Sequence, residues 1–199
     1  MTNKMIVVKD ERDIPEIYRN TPIARLLLYH NLSLPPDRYE RADMLVLMCM
    51  DNRQELRLPK KIAFFVRNSG GTRNGVSFSI SFAIAVGGIR HIAVIGHSDC
   101  MMVDLESRRA EFVIGLSECG GWERAVADSY FLDSCVLFNK KDAVDSVITE
   151  VELIRSQYPG TVVAPLFYSL EDDLLYLIEE EQCEEALAQC KALYKLRRK

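Results

Sequence analysis

Short apolar runs, each closed by a polar turn, are the main pattern in the first half of the chain. Met44–Met50 is an unbroken apolar run, and Ile62–Val66 and His91–Gly96 repeat the pattern. Runs this short, apolar on both faces, are typical of buried parallel strands. Ser77–Val86 is predicted to be a helix, and Gly87–Gly88 follows it where helices prefer to end. Strands alternating with a helix predict an α/β fold with a parallel-core β-sheet flanked by helices.

The N-terminal region has a helical pattern of its own. Apolar residues recur at helical spacing over Thr21–Leu32 and stop before the Leu34–Pro36 segment. We expect residues 1–40 to form an N-terminal helical arm and residues 41–199 an α/β body, together a single domain.

The second half is less regular. Apolar residues from Val144 to Ile154 predict a helix, and Thr161–Tyr168 is typical of a strand. Residues 103–140 give no clear pattern. The segment Cys183–Tyr194 carries apolar residues on one face, with acidic residues early and basic residues late, which predicts an amphipathic helix packed on the body.

Composition and length limit the classes of protein to which the chain can belong. The chain has 199 residues, 48% of them hydrophobic, and a net charge of -4, as expected of one globular domain that needs no disulfides. No apolar stretch reaches the roughly 18 residues of a membrane span. The acidic balance argues against a nucleic-acid partner, and the basic cluster Lys195–Lys199 is expected to complement a helix dipole. Six cysteines without a regular framework or a leader segment indicate reduced thiols in the cytoplasm.

Candidate chemistry lies where the predicted strands end. Cys49 ends one strand, His97 ends another, and Cys100 follows three residues later. The carboxyl ends of parallel strands meet at one edge of a sheet, so these side chains should converge. Two thiolates and one imidazole suit Zn²⁺, and three ligands leave a fourth position open, as in catalytic sites. Packing roles are expected for the other four cysteines, Cys119, Cys135, Cys183 and Cys190.

Three motifs in this region carry a resemblance to a known family. Cys49–Arg53 reads Cys-Met-Asp-Asn-Arg, Arg67–Gly70 reads Arg-Asn-Ser-Gly, and Gly96–Cys100 reads Gly-His-Ser-Asp-Cys. In order and spacing they resemble the β-class carbonic anhydrase signature: Cys-x-Asp-Ser-Arg, Arg-Asn-Ala-Gly and Gly-His-x-x-Cys. The resemblance covers roughly Met44–Cys100 and implies the β-carbonic anhydrase-like fold.

The resemblance also implies a reaction. It makes Cys49, His97 and Cys100 zinc ligands, and it implies reversible hydration of CO₂ to bicarbonate by a zinc-bound hydroxide, a lyase activity of the carbonate dehydratase type. It further implies a homodimer or higher homo-oligomer, built through an N-terminal helix for which Thr21–Leu32 is apolar enough.

Asp51 and Arg53 match the catalytic pair of that family. A carboxylate that accepts a hydrogen bond from the metal's water can orient it, and a bidentate guanidinium can hold that carboxylate away from the metal. If the ion pair between Arg53 and Asp51 broke, Asp51 could become the fourth zinc ligand and close the site. The alternative for this pair is a surface ion pair at the end of a strand.

The substrate pocket is expected at Asn68, Ser69, Gly70 and Met101, although Asn68 and Gly70 could equally serve only to build a turn. Asn52 and Ser69 replace the family's Ser and Ala. Met101 stands where the family has Gly, and its side chain could strain the turn or enter the pocket. Two alternatives therefore stay open: the same site acting on carbon disulfide or carbonyl sulfide, and a zinc-binding homologue without catalysis.

Overall fold

One mixed sheet lies at the centre of the protein. The computed structural model describes residues 4–35 and 37–179. Within these residues the sheet has six strands, which in chain order are β1 (Met5–Val7), β2 (Met44–Cys49), β3 (Ala63–Asn68), β4 (His91–His97), β5 (Val162–Ser169) and β6 (Leu174–Ile178). They lie side by side in the order β1-β6-β5-β4-β2-β3.

The strands that carry the sequence motifs are parallel. β2 pairs with β3 on one side and with β4 on the other, and β4 pairs with β5, all three in parallel. β6 and β1 complete the sheet as antiparallel strands. The carboxyl ends of the neighbouring strands β2 and β4 therefore open at the same edge of the sheet.

Helices cover both faces of the sheet. The α-helices of the described part of the chain are α1 (Pro22–Leu32), α2 (Ser77–Ala85), α3 (Arg109–Gly120), α4 (Arg124–Phe138) and α5 (Ala143–Gln157), of which α1, α2 and α5 pack on the sheet. α1 packs on one face, together with the side chains of Met44, Val46 and Met48 from β2. α2 and α5 pack on the other face, where Leu45 and Leu47 point. Because both faces of β2 are covered, its sequence is apolar without alternation.

The α/β architecture and most of the predicted elements are confirmed. The strands predicted at Met44, His91 and Thr161 are present with bounds shifted by one residue, and the helices predicted at Thr21, Ser77 and Val144 are present with bounds shifted by up to three residues. Thr21 caps α1 through its hydroxyl, and Asp142 caps α5 through its carboxylate. These capping side chains explain why both helices begin where they do.

Two expectations are wrong in their detail. The strand predicted at Ile62 is not buried: as β3 it is the edge of the sheet, with Phe64 and Phe65 about half exposed. The N-terminal region, expected to be a helical arm, also contains a strand: β1 joins the sheet, and Ile23 of α1 is fully buried in this chain's own core. The apolar face of α1 is thus covered within this chain, and a contact of α1 with a neighbouring subunit stays a prediction.

The segment without a clear pattern contains α3 and α4. α3 buries none of its residues, and α4 buries Ala127, Phe131 and Cys135. Phe131 and Cys135 form a small separate cluster with Leu105. Because several apolar residues of α4 are exposed as well, its apolar positions do not recur at a clear helical spacing in the sequence. The amphipathic helix predicted over Cys183–Tyr194 and the basic cluster at Lys195–Lys199 lie outside the described residues. No described helix combines the length and apolar character that crossing a membrane requires.

A buried histidine makes stability depend on pH. His30 is fully buried; its Nδ1 accepts a hydrogen bond from the main-chain N–H of Arg57, and its Nε2 donates to the carbonyl of Asp173. Burial, and then the charge of Arg57, lower the pKa of His30 from 6.5 to about 4. The folded protein therefore holds this ring neutral.

As the pH falls from about 6.5 to about 4, the unfolded chain takes up this proton before the folded chain does. We predict that His30 removes up to about 3 kcal/mol of the unfolding free energy over that interval. Urea unfolding across the interval measures it. His30→Gln, which keeps a donor and an acceptor, should lose this part of the pH dependence; an equal dependence in both proteins would contradict the assignment.

Candidate metal centre

The three predicted ligands converge at the carboxyl edge of the sheet. Cys49 is the last residue of β2, His97 is the last residue of β4, and Cys100 lies in the turn that follows. Their ligand atoms all lie within 4.8 Å of one another, and all three residues are buried. This cluster could hold one metal ion.

The imidazole of His97 is oriented to bind a metal. Its Nδ1 lies 2.9 Å from the carbonyl oxygen of Ser98, which can only accept, so Nδ1 carries the proton. Nε2 is then left with a lone pair, and among the described residues this buried atom has no hydrogen-bond partner. A buried acceptor without a partner is costly unless a ligand satisfies it. The site therefore fits a metal that takes nitrogen and sulfur ligands.

The two thiols interact directly. Cys100 donates a hydrogen bond to the sulfur of Cys49, which lowers the pKa of Cys49 and raises the pKa of Cys100. Main-chain N–H groups of Asp51 and Gly70 also donate to the Cys49 sulfur, and that of Met102 donates to the Cys100 sulfur. The surroundings thus favour negative sulfur, the form that binds metal, at Cys49, whereas the hydrogen bond to Cys49 and burial oppose it at Cys100. Two sulfurs and one imidazole nitrogen match the donor set of Zn²⁺ and leave a fourth position open.

A carboxylate and guanidinium pair lies beside this cluster. Arg53 donates to both oxygens of Asp51, from Nε to Oδ1 at 3.0 Å and from Nη2 to Oδ2 at 2.7 Å. These bonds lower the pKa of Asp51 to about 2, and its side chain is only 5% exposed. Asp51 is therefore ionised and held by Arg53, while the catalytic role of the pair stays a prediction.

Asp99 was missed by sequence reasoning. It lies between His97 and Cys100, and its carboxylate accepts from Nη1 of Arg53 at 2.7 Å. Arg53 also donates from Nη2 to the main-chain carbonyl of Asp99 at 3.0 Å. The guanidinium thus joins the turn after β2 to the turn after β4, a link between residues 46 apart that no local pattern indicates.

The second motif builds the turn that supports Cys49. The side chain of Asn68 bonds the main chain of Thr72 and Asn74, so it serves the turn rather than an open pocket. Arg67 donates to the carbonyls of Cys49, at 3.0 Å, and Asp51, at 2.5 Å. Of the four predicted pocket residues, Asn68 is therefore occupied in holding the turn.

Met101 does not strain the chain. Its backbone lies outside the left-handed region, so this turn accepts a side chain where the family has glycine. The side chain of Met101 is 50% exposed at the mouth of the turn that follows Cys100. Of the two possible effects of this replacement, strain in the turn is therefore absent, and entry of the side chain into the pocket stays a prediction.

A buried lysine was also missed by sequence reasoning. Lys140, only 8% exposed, donates from Nζ to the carbonyl of Gly70 at 2.5 Å. Burial lowers the pKa of Lys140, while the charges of Cys100, Glu150 and Cys49 oppose this effect. Because Lys140 is the last residue of the segment without a clear pattern and precedes Lys141, the sequence carries no signal that it reaches the site.

Comparison with known proteins relates this fold and site to one family. Residues 44–112 match a family model described as carbonic anhydrase. No curated protein matches the sequence. Among solved structures, the β-carbonic anhydrase isoform I of Trichomonas vaginalis is similar with a TM-score of 0.57 and 16% identity, covering 83% of this chain and 99% of that one.

Two further structures are similar over most of their length. A carbonic anhydrase from Glaciozyma antarctica has a TM-score of 0.54 and 24% identity, covering 81% of this chain and 98% of that one. A carbon disulfide hydrolase in its apo form has a TM-score of 0.51 and 19% identity, covering 79% of this chain and 87% of that one. At these identities the structures establish the fold. The family match over residues 44–112 and the shared fold make this chain similar to the β-class carbonic anhydrases.

The turn behind Cys49 has room only for glycine. Gly71 has φ +64°, and a Cβ there would lie 2.9 Å from the main-chain nitrogen of Cys49. Gly75 has φ +73°, but a Cβ there would meet nothing within 4 Å. The two positions share the unfavourable φ and differ in the steric clash.

We predict that Gly75→Ala lowers the unfolding free energy by about 1 kcal/mol, because only backbone strain is added. Gly71→Ala should lower it by about 1 to 3 kcal/mol more, because the methyl group also displaces the main chain of Cys49. Urea unfolding of the two variants measures the difference. Equal losses of unfolding free energy in the two variants would show that the chain around Gly71 accommodates the added methyl group.

Proposed function

We propose that this protein is a zinc enzyme of the lyase class that catalyses the reversible hydration of CO₂ to bicarbonate. The observation that carries the proposal is the cluster of Cys49, His97 and Cys100 with the Asp51 and Arg53 pair beside it. A structural zinc site needs four protein ligands, whereas three ligands next to an oriented carboxylate suit a catalytic site.

Each residue of the proposed site has a role that its contacts support. Cys49, His97 and Cys100 would hold Zn²⁺, and the chemistry that the ion supplies there is Lewis acidity, which makes water nucleophilic near neutral pH. The ionised Asp51 would accept a hydrogen bond from that water and orient it. Arg53 would keep both oxygens of Asp51 directed away from the ligand position, so the open arrangement is favoured over a closed one with Asp51 as fourth ligand.

The substrate would approach between the turn after β3 and the turn after β4. Ser69, Gly70 and Met101 are the proposed lining, and Asn68 would contribute by shaping the turn. CO₂ is small and carries no charge, so a short apolar approach is sufficient. We further propose a cytoplasmic location and no nucleic-acid partner; the cysteines in the described part are free thiols, which is compatible with a reducing compartment.

A second candidate substrate is a sulfur analogue of CO₂, carbon disulfide or carbonyl sulfide. The half-exposed Met101 favours it, since a thioether beside the site offers a soft, polarisable surface to sulfur. One of the similar structures is a carbon disulfide hydrolase, which has this fold. The same residues would act on either substrate.

A stopped-flow assay of CO₂ hydration by the zinc-loaded protein tests the proposal. We predict hydration well above the buffer rate, and a fall of about 100-fold or more in Asp51→Ala with zinc retained, because the orienting acceptor is lost. Asp10→Ala is the matched control, since Asp10 pairs with Arg12 through the same local geometry far from the site.

Hydration at the buffer rate, together with release of sulfide from carbon disulfide, would replace the first candidate by the second. Inactivity toward both substrates in a zinc-loaded protein would contradict the catalytic proposal. Full activity of Asp51→Ala would remove Asp51 from the proposed mechanism.

We also propose that the protein forms a homodimer or higher homo-oligomer, through a different surface from the one that the sequence indicated. The edge strand β3 and helix α2 expose Phe64, Phe65, Phe78, Phe82 and Val86. Unpaired strand edges and clustered apolar residues are the features that a second copy would cover.

Sedimentation analysis should therefore give at least twice the chain mass of 22.7 kDa. Phe78→Ser should shift the equilibrium toward monomer, because Phe78 is 81% exposed and would lose its contact area. Val136→Ser, on the equally exposed Val136 of α4, is the control. A monomer at every concentration tested would refute the proposed interface.

A further inference from the structure

Two main-chain groups support the sulfur atoms of the candidate metal centre. The N–H of Gly70 donates to the Cys49 sulfur, and the N–H of Met102 donates to the Cys100 sulfur. Gly70 lies in the turn after β3, and Met102 lies in the turn after β4. These two peptide segments come from separate parts of the chain, so something has to fix their positions relative to each other.

Lys140 bonds both of these segments at once. Its ammonium donates to the carbonyl of Gly70, and its main-chain N–H donates to the carbonyl of Met102 at 2.9 Å. Its own carbonyl accepts from the N–H of Asp104 at 2.8 Å, which fixes the backbone of Lys140 against the same turn. Gly70 and Met102 therefore each face a thiol with their N–H and face Lys140 with their carbonyl.

The fit around the lysine side chain is close. A Cβ on Gly70 would lie 2.8 Å from Cε of Lys140 and 3.3 Å from Cγ of Met102, so a side chain at Gly70 would displace the aliphatic chain of Lys140. Burying an ammonium group is costly unless hydrogen bonds and opposite charges compensate it. Here the Gly70 carbonyl accepts from it, and Glu150 and the two thiols lie close enough to favour its charge.

We infer that Lys140 is a positioning residue of the metal centre: it joins the two turns that present Cys49 and Cys100, and so sets how tightly the three-ligand site retains its metal. The inference rests on the proposed zinc site but not on the reaction. Partners in the shell outside metal ligands typically change metal affinity by about 10- to 100-fold when they are removed.

Competition with a chromogenic chelator for Zn²⁺ tests the inference on the full chain. Lys140→Met keeps the aliphatic volume but removes the ammonium, and we expect it to weaken zinc binding by about 10-fold or more. The cobalt-loaded variant should also show altered thiolate-to-cobalt absorption, because the sulfur positions change. Lys141→Met, on the exposed neighbouring lysine, is the matched control and should bind zinc as the parent protein does.

The thermal midpoint of the metal-free proteins separates positioning from general stability. We expect the metal-free Lys140→Met to unfold close to the control while its zinc affinity falls. If Lys140→Met does not fold, Lys140→Gln, which retains an N–H donor, should fold and still bind zinc more weakly than the control.

Zinc affinity and cobalt absorption equal to those of Lys141→Met would overturn the inference. So would a lower thermal midpoint with unchanged zinc affinity, which is the result of a merely structural role. A parent protein that binds no zinc would instead refute the proposed metal centre, and a parent protein that binds zinc without turnover would refute only the proposed reaction.

Discussion

The parallel pairing of β2 and β4 is the constraint on which the candidate site depends. Because Leu45 to Met48 align with Ile92 to Ile95, the two strands end together and deliver Cys49 and His97 to one edge of the sheet. Cys100 reaches the same point through the short turn after β4. A slip of the strands by one residue would turn every side chain to the opposite face and separate the ligands. The covered faces of both strands, which contact α1 on one side and α2 and α5 on the other, hold this register.

Two cationic side chains connect the chain segments that carry the candidate ligands, and the two differ in their exposure to solvent. Arg53 connects Asp51 to Asp99 at the partly exposed side of the centre, and Lys140 connects Gly70 to Met102 in the interior. Each cation therefore bonds both the region around Cys49 and the turn that carries Cys100. A cluster with two thiols needs such fixed donors, because thiolate charge in a buried site is stable only when nearby N–H groups and positive charges face it. The polar groups around this site thus serve its electrostatics as well as its geometry.

The sequence was sufficient for the parts of the site that local pattern controls. Unalternating apolar runs identified β2 and β4, and their ends placed Cys49, His97 and Cys100 together. It was insufficient for Asp99 and Lys140, whose roles come from contacts across 46 and 70 residues. It could not separate two roles for α1, because an apolar helical face arises both at an interface and where a helix covers its own sheet. The burial of Ile23 shows that α1 covers its own sheet. Met101 could have strained its turn. Whether a side chain strains a turn depends on the backbone angle φ, which the residue type alone does not determine.

The most direct measurement of the central claim is the X-ray absorption fine structure of the zinc-loaded protein at the zinc edge. We predict two sulfur neighbours at about 2.3 Å, one nitrogen neighbour at about 2.0 to 2.1 Å and one oxygen neighbour, the set that Cys49, His97, Cys100 and an open fourth position would give. Loss of one sulfur neighbour in Cys49→Ser, but not in Cys135→Ser, would assign the ligand. A zinc shell without sulfur, or with more than two sulfurs, would contradict the proposed centre.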